Sequence, residues 1–304
     1  MRINRKLKKN AAAYAFISPF YILFAVFVAY PLLHSAWLSL FDCWGLQTRA
    51  FCGLANFREL AHDPLLGKAI VNTLAFAAGS IFIQLPLALT LALALNSRIV
   101  RARHAFRFAF FSPVLIAGVF VGIIFQLVLN QNYGLLNSAL SSPAPAAVLS
   151  AFGVDASQLA WLRDEKLIMP SLILTAIWRW TGYNMVYFLA GLQAIRQELY
   201  EAASIDGAGA WGKLLNVTLP GLRPVLLFVV IMSMLGSLQI FDLPYILLSG
   251  GNPNDAGLMA VMHLYAEGFQ NSRLGYASAM GWLLFGIIFL FTLAQWRMFG
   301  GKET

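Results

Sequence analysis

Asp206–Leu215, DGAGAWGKLL, satisfies two phosphate-binding spacings at once. Gly207, Gly209 and Gly212 give G-x-G-x-x-G, and Gly207, Gly212 and Lys213 give the G-x-x-x-x-G-K part of a P-loop. Either pattern would cradle phosphate oxygens with backbone N–H groups. The surroundings oppose both. A P-loop needs Ser or Thr after its lysine to hold magnesium, and Leu214 stands there. A dinucleotide fold needs a strand before the glycines and an acidic residue about twenty positions after them. Here helix formers precede the glycines, and Met232 occupies the acidic place. The glycines therefore read as a turn, with Lys213 as a surface charge.

Other candidates for chemistry are few. His34, His62, His104 and His263 are scattered without metal-ligand spacing, and no nucleophile stands beside a base. The chain is expected not to be an enzyme and to bind no metal or cofactor of its own. Arg179 and Asp242 fall inside apolar stretches, and an ionisable group at membrane depth marks a functional position by default. Their axial levels differ by about 7 Å at 1.5 Å rise per residue. They can pair if their helices are neighbours; alternatively Arg179 caps backbone carbonyls.

The elements that carry these residues are set by composition. Of 304 residues, 60% are hydrophobic and 11% charged, with a mean hydropathy of +0.71. A soluble domain keeps about 25% of its residues charged, so this is an integral membrane protein. Crossing a hydrocarbon core takes about 20 helical residues. Six segments qualify: Tyr14–Leu40, Ala69–Leu95, Phe106–Leu129, Ile168–Leu192, Pro224–Leu248 and Tyr276–Met298. The expected fold class is all-α, with six transmembrane helices. Prolines inside these spans (Pro19, Pro31, Pro86, Pro113, Pro244) mark kinks, for packing or for hinging.

Charge sets the orientation. Fourteen Lys and Arg lie on one side: the cluster Arg2–Lys9, Arg98, Arg101, Arg103, Arg107, the fourth loop (Arg196, Lys213, Arg223) and the tail (Arg297, Lys302). Six lie on the other (Arg49, Arg58, Lys68, Arg163, Lys166, Arg273). The positive-inside rule puts both termini in the cytoplasm. The net charge of +8 is thus a topology signal in short clusters, not a nucleic-acid patch. RINRKLKK looks like a signal-peptide n-region, but the apolar run after it is too long and lacks a small-x-small cleavage site. The first helix is expected to be retained. Cys43 and Cys52 share the first outward loop, where a disulfide and two free thiols are both open.

The inward loop 193–223 is too long for a turn. RQELYEAASID (Arg196–Asp206) is rich in helix formers. Glu198, Glu201 and Ile205 share one face, and Leu199, Ala202, Ala203 and Asp206 the next. Gly207 and Gly209 stop that helix. AWGKLLNVTL makes a second helix, which Pro220 is expected to break before Pro224 opens the fifth span. The product is a helix-turn-helix at the cytoplasmic surface. A helix lying on lipid would carry Lys or Arg along its polar side. This one is acidic and alanine-rich, and suits a protein partner at close approach.

EAASIDGAGAWGKLLNVTLP (Glu201–Pro220) resembles the EAA motif of binding-protein-dependent ABC importer permeases. Glu201, Ala202, Ala203, Gly207, Leu219 and Pro220 fit in register, with Val217 where Ile is usual. FCGLANFREL, NYGLLNSAL and WRWTGYNMVYFLAGLQAI are similar to further segments of the family, and FDLPYILLSGG and YAEGFQNSRLGYASAMGW to the fifth and sixth helices of its carbohydrate subgroup, on the side of the maltose and glycerol-3-phosphate permeases' first subunit. The resemblance spans most of the chain. Arg196 stands where many relatives have proline, and SGGNPND is less glycine-rich than usual.

The resemblance implies a basic cytoplasmic N-terminus (1–13), a six-helix permease domain (14–298, coupling loop 193–223) and a cytoplasmic tail (299–304). It implies a second, homologous permease as heterodimer partner, two cytoplasmic ATPases that hold ATP and magnesium, and an extracytoplasmic solute-binding protein. The location would be the bacterial cytoplasmic (inner) membrane, and the substrate a sugar or related polyol compound moved by alternating access. Glu198, Glu201, Ala202, Ala203, Asp206, Gly207, Leu219 and Pro220 would couple to the ATPase. Sugars are recognised by aromatic faces and by amide or hydroxyl groups. Arg179, Tyr183, Asn184, Gln239 and Asp242 are the candidates for the substrate pathway, beside Trp178, Trp180 and Phe241, several of which are ordinary packing. The competing class is an ion-coupled secondary transporter or channel, which predicts inverted repeats and paired intramembrane acids. The sequence has neither.

Overall fold

The computed structural model describes residues 11–45, 47–97, 101–151, 155 and 159–299. The basic N-terminal cluster, Arg98 and Lys302 lie outside them. The chain is mostly helical and divides into two compact units, residues 1–63 with 264–286, and residues 64–263 with 287–304.

In the first unit, Ala11–Phe24 (α1) and Tyr30–Leu38 (α2) are joined by a π turn, Ala25–Ala29. Pro31 stands just after that turn. Proline lacks an N–H and clashes with the carbonyl four residues back, and a π turn accommodates both. The apolar stretch Tyr14–Leu38 has hydropathy 2.1 and its most apolar window is wholly unburied by the chain itself.

A hairpin corrects the all-α expectation. Phe41–Trp44 (β1) pairs antiparallel with Gln47–Phe51 (β2). Aromatic residues favour strands, Phe41 packs edge-on to its cross-strand partner Phe51, and Gly45 supplies the turn at φ +59°. Cys43 and Cys52 are both free. The register sets Cys43 opposite Thr48, while the Cys52 N–H donates to Leu40 O.

Asn56, buried in Ala55–Leu60 (α3), donates to Ser39 O at 2.9 Å and Phe41 O at 3.1 Å, fastening the hairpin to its entry. Nearby, Arg273 pairs with Glu59 at 2.5 Å and Glu267 at 3.2 Å. Burial works against the Arg273 charge, but Glu59 and Glu267 outweigh it and raise its pKa.

The second unit begins with the 33-residue Pro64–Asn96 (α4). Arg103–Phe111 (α5) passes through a 3-10 turn, Ser112–Leu115, and meets Gly118–Val128 (α6) at 101°. Short helices Leu135–Leu140 (α7) and Pro143–Ala151 (α8) lead to the 30-residue Glu165–Ala194 (α9). Asp164 caps α9 by accepting from Lys166 N at 2.9 Å. α4 turns Ala69, Thr73, Ala77, Ser80, Ala88 and Ala92 inward, small residues that let helices approach closely. Leu85, Met185 and Phe188 lie in one buried cluster, and Phe76, Leu172 and Leu243 in another.

Two expected spans are corrected. Phe106–Leu129 is broken at the 101° bend, where Ile116 and Ala117 are extended. Pro113 lies in the turn before it. Pro224–Leu248 ends its first helix at Leu238 and restarts at Asp242, two residues before Pro244. Among the described residues, three helices are long and apolar enough to cross a membrane, Tyr14–Leu38, Pro64–Asn96 and Leu274–Arg297, or up to five if each bent pair is one span. α9 has the length, but Arg179, Asn184 and its hydroxyl residues make it more polar than these.

Gly182 marks how closely α9 and α5 cross, because a Cβ there would collide with the Phe110 carbonyl. Gly182→Leu is expected to destabilise by about 1–3 kcal/mol through overpacking. The thermal midpoint of the purified protein in detergent reads this directly, and an unchanged midpoint would refute the close crossing.

Candidate functional site

The phosphate-like glycines lie after Gln197–Ile205 (α10). Asp206 closes that helix and Gly207 takes the left-handed conformation at φ +78°. Gly207 N–H donates to Ser204 O at 3.1 Å, and Ala208 N–H donates to Ala203 O at 2.8 Å. This pair of bonds is a Schellman stop with Gly207 as its left-handed residue. Two of the N–H groups that a phosphate cradle would need are therefore engaged. Gly209 is the extended N-cap of Ala210–Lys213 (α11), a conformation open to any residue.

A π turn, Leu214–Thr218, carries the second helix into Leu219–Gly221 (α12). The expected break at Pro220 is corrected: Pro220 sits in the first turn of α12, where the π turn accommodates its ring. The chain bends by 68° one step later, at Leu222, before Arg223–Leu238 (α13). Tyr200 and Thr218 hydroxyls, 3.0 Å apart, tie α10 to this second helix.

α10 buries none of its residues. Glu198, Glu201, Ala202 and Asp206 are exposed and Ala203 is half-buried. Arg196 reaches Glu198 at 3.9 Å with both side chains exposed, a pair worth little in water. Leu219 is half-buried and Pro220 exposed. Two residues missing from the sequence-based assignment complete this surface: Trp211 is 72% exposed and Ile205 87%. A tryptophan in a polar loop was the available signal. The loop thus offers an acidic face and bare apolar side chains.

The second group of candidates lies on α9. Arg179 Nη1 stands 3.4 Å from Asp242 Oδ2, the arginine side chain 11% exposed and the aspartate side chain 46%. Asp242 opens Asp242–Leu247 (α14), where the helix dipole favours a carboxylate. Arg179 also lies over the Trp180 ring, 5.0 Å from its centroid, and its Nε is buried without a partner among the described residues. Tyr183 and Tyr187 follow Arg179 at four-residue steps on the same face, with their hydroxyls 2.8 Å apart. Asn184 points elsewhere; it is buried and donates to Ser233 Oγ at 3.4 Å, joining α9 to α13. Gln239 is exposed in the break between α13 and α14. The fold thus brings Arg179 to Asp242, keeps Tyr183 along the same face, and sets Asn184 apart.

Residues 139–297 match the family described as binding-protein-dependent transport system inner membrane component. The chain is 36% identical to the arabinooligosaccharides transport system permease protein of Bacillus subtilis (strain 168), over 96% of this chain and 90% of that one. It is 33% identical to the lactose transport system permease protein of Rhizobium radiobacter, over 99% and 98%. In fold it is similar to a chain of a bacterial alginate ABC transporter solved in complex with alginate pentasaccharide-bound periplasmic protein. The TM-score is 0.81 at 24% identity, with 98% of this chain and 97% of that chain covered.

Gly207→Val forces a branched side chain into a left-handed position, at a cost of about 1–2 kcal/mol. Limited proteolysis of membrane vesicles is expected to cut near residue 207 faster than in wild type, with insertion unchanged. Asp242→Ala leaves the Arg179 guanidinium unpaired, whereas Arg179→Met with Asp242→Ala removes both charges. The single variant is expected to melt lower than the double, since an orphaned charge costs more than the lost pair. Equal midpoints would deny the pairing.

Proposed function

The chain belongs to the binding-protein-dependent transport system inner membrane components, and we propose that it is one of two membrane subunits of an ATP-driven importer for a sugar or related polyol compound. The observation that carries this is α10, a helix exposed along its length and closed at a fixed angle by Gly207. Such a helix inserts into a partner's groove. Glu198, Glu201 and Asp206 meet basic side chains there, Ala202 and Ala203 admit close contact, and Ile205 and Trp211 lose their exposure. The relatives named for arabinooligosaccharides and lactose support the sugar class.

In this scheme two cytoplasmic ATPases hold ATP and magnesium, and this chain catalyses nothing. Their closure pushes on α10, and the Schellman turn with the Tyr200–Thr218 bond passes the push to α13 and the membrane. A second, homologous permease pairs with the chain, and a solute-binding protein delivers substrate from outside. The chain crosses the bacterial cytoplasmic membrane six times, with α5 and α6 together as the third span, α9 as the fourth and α13 with α14 as the fifth. Both termini are cytoplasmic, with the divisions 1–13, 14–298 (coupling loop 193–223) and 299–304. Arg179, Tyr183, Gln239 and Asp242 line the passage, with Asn184 joining α9 to α13 behind them. The passage opens alternately to either side.

Gly207→Trp in the assembled complex should lower uptake at least tenfold and abolish substrate-stimulated ATP hydrolysis, with insertion intact. Normal stimulation in that variant would remove α10 as the coupling element. The chain purified alone should show neither uptake nor ATP hydrolysis in liposomes. Ion-driven uptake by the lone chain would favour a secondary transporter instead.

A further inference from the structure

The two broken spans meet along a seam. Gly118, Gly122 and Gln126 recur every four residues along α6 and so share one face. All three meet α14. A Cβ at Gly118 would collide with the Asp242 carboxylate and stand 2.6 Å from Arg179 Nη1. A Cβ at Gly122 would stand 2.8 Å from Ile246 Cγ2 and 3.0 Å from Ile246 Cβ. Gln126 Nε2 donates to Ile246 O at 2.6 Å and to Ser249 Oγ at 2.9 Å. Ile246 O also accepts from Ser249 N–H at 3.1 Å, and Gln126 adds a side-chain bond from α6 to the same carbonyl.

A G-x-x-x-G face lets apolar helices approach closely. Here the glutamine four residues on adds hydrogen bonds to the same partner helix. Each helix has meanwhile lost continuity with its own span. α6 is separated by extended Ile116 and Ala117, and α14 by the break at residues 239–241.

We propose that α6 and α14 behave as one element during transport, held together by Gly118, Gly122 and Gln126. These three are positioning residues: they place Asp242 against Arg179 without touching substrate. Flexing is confined to Ile116–Ala117 and to residues 239–241, and the seam does not slide. The proposal rests on the transport function proposed above.

The test uses the complete transporter with Cys43 and Cys52 replaced by Ser, and Gly122→Cys introduced together with Ile246→Cys. The two Cβ positions are 3.0 Å apart, about half an ångström short of the disulfide range of about 3.5–4.5 Å, so a small relaxation suffices and oxidation in native membranes should bridge them. The bridged protein should keep at least half the uptake of its reduced form. A tenfold fall on oxidation that reverses on reduction would show that the helices slide, and would overturn the proposal. So would failure to bridge. Separately, Gly122→Val should cut the maximal uptake rate about tenfold, and adding Ile246→Ala should restore most of it. A folded double variant without recovery would reject the positioning role. Absence of uptake by the wild-type complex would instead count against the transport function, while the bridging yield would still decide the seam.

Discussion

A helix that stops inside a membrane leaves backbone N–H and C=O groups that no water can satisfy, and each costs several kcal/mol. The second unit of this protein stops two helices in mid-span, and much of its local design answers that constraint. Gln126 donates to the end of α14. Gly118 and Gly122 bring α6 close enough for that bond to form. Asp242 stands at the start of α14, where the helix N-terminus favours its charge and Arg179 pairs with it. The glycines and the ion pair hold the interrupted segments together, and the glutamine fastens the far end of α14 to α6.

The loop 193–223 poses a related problem. A glycine-rich turn has the same N–H groups whether it cradles phosphate or closes a helix. What decides is whether those groups are free. In DGAGAWGKLL the N–H groups of Gly207 and Ala208 return to the helix that precedes them. The turn therefore sets an angle between two helices. The Tyr200–Thr218 hydroxyl pair ties the two helices a second time across that angle. Its exposed Trp211 and Ile205 are apolar surfaces that the chain itself leaves uncovered.

The first unit is held differently, by charge and amide bonds at one end of its helices. Asn56 gathers the carbonyls of Ser39 and Phe41, and Arg273 joins Glu59 to Glu267. Arg273 is 28% exposed at its side chain, so these pairs are partly shielded and outlast a surface ion pair. Their effect is to hold the short hairpin and α3 in a defined place.

Much was legible in the sequence, and for a local reason. Hydropathy, charge clusters and turn residues are properties of neighbours along the chain, so they disclosed the membrane class, a helix within Arg196–Asp206 and its stop at the following glycines. The register of Glu201, Ala202, Ala203 and Gly207 was readable in the same way. Tertiary structure alone decided what depends on non-neighbours. Pro113 and Pro244 marked kinks in these spans, but an apolar run looks the same whether its helix is bent or broken, so the full breaks after Leu115 and Leu238 were not readable. Pairing of Arg179 with Asp242 needed α14 to restart at Asp242 beside α9. Asn184 turned away because Ser233 offered a partner, and Pro220 was absorbed by a π turn rather than ending its helix. Each of these outcomes depends on which backbone groups find partners across the fold, and that information is not carried by spacing.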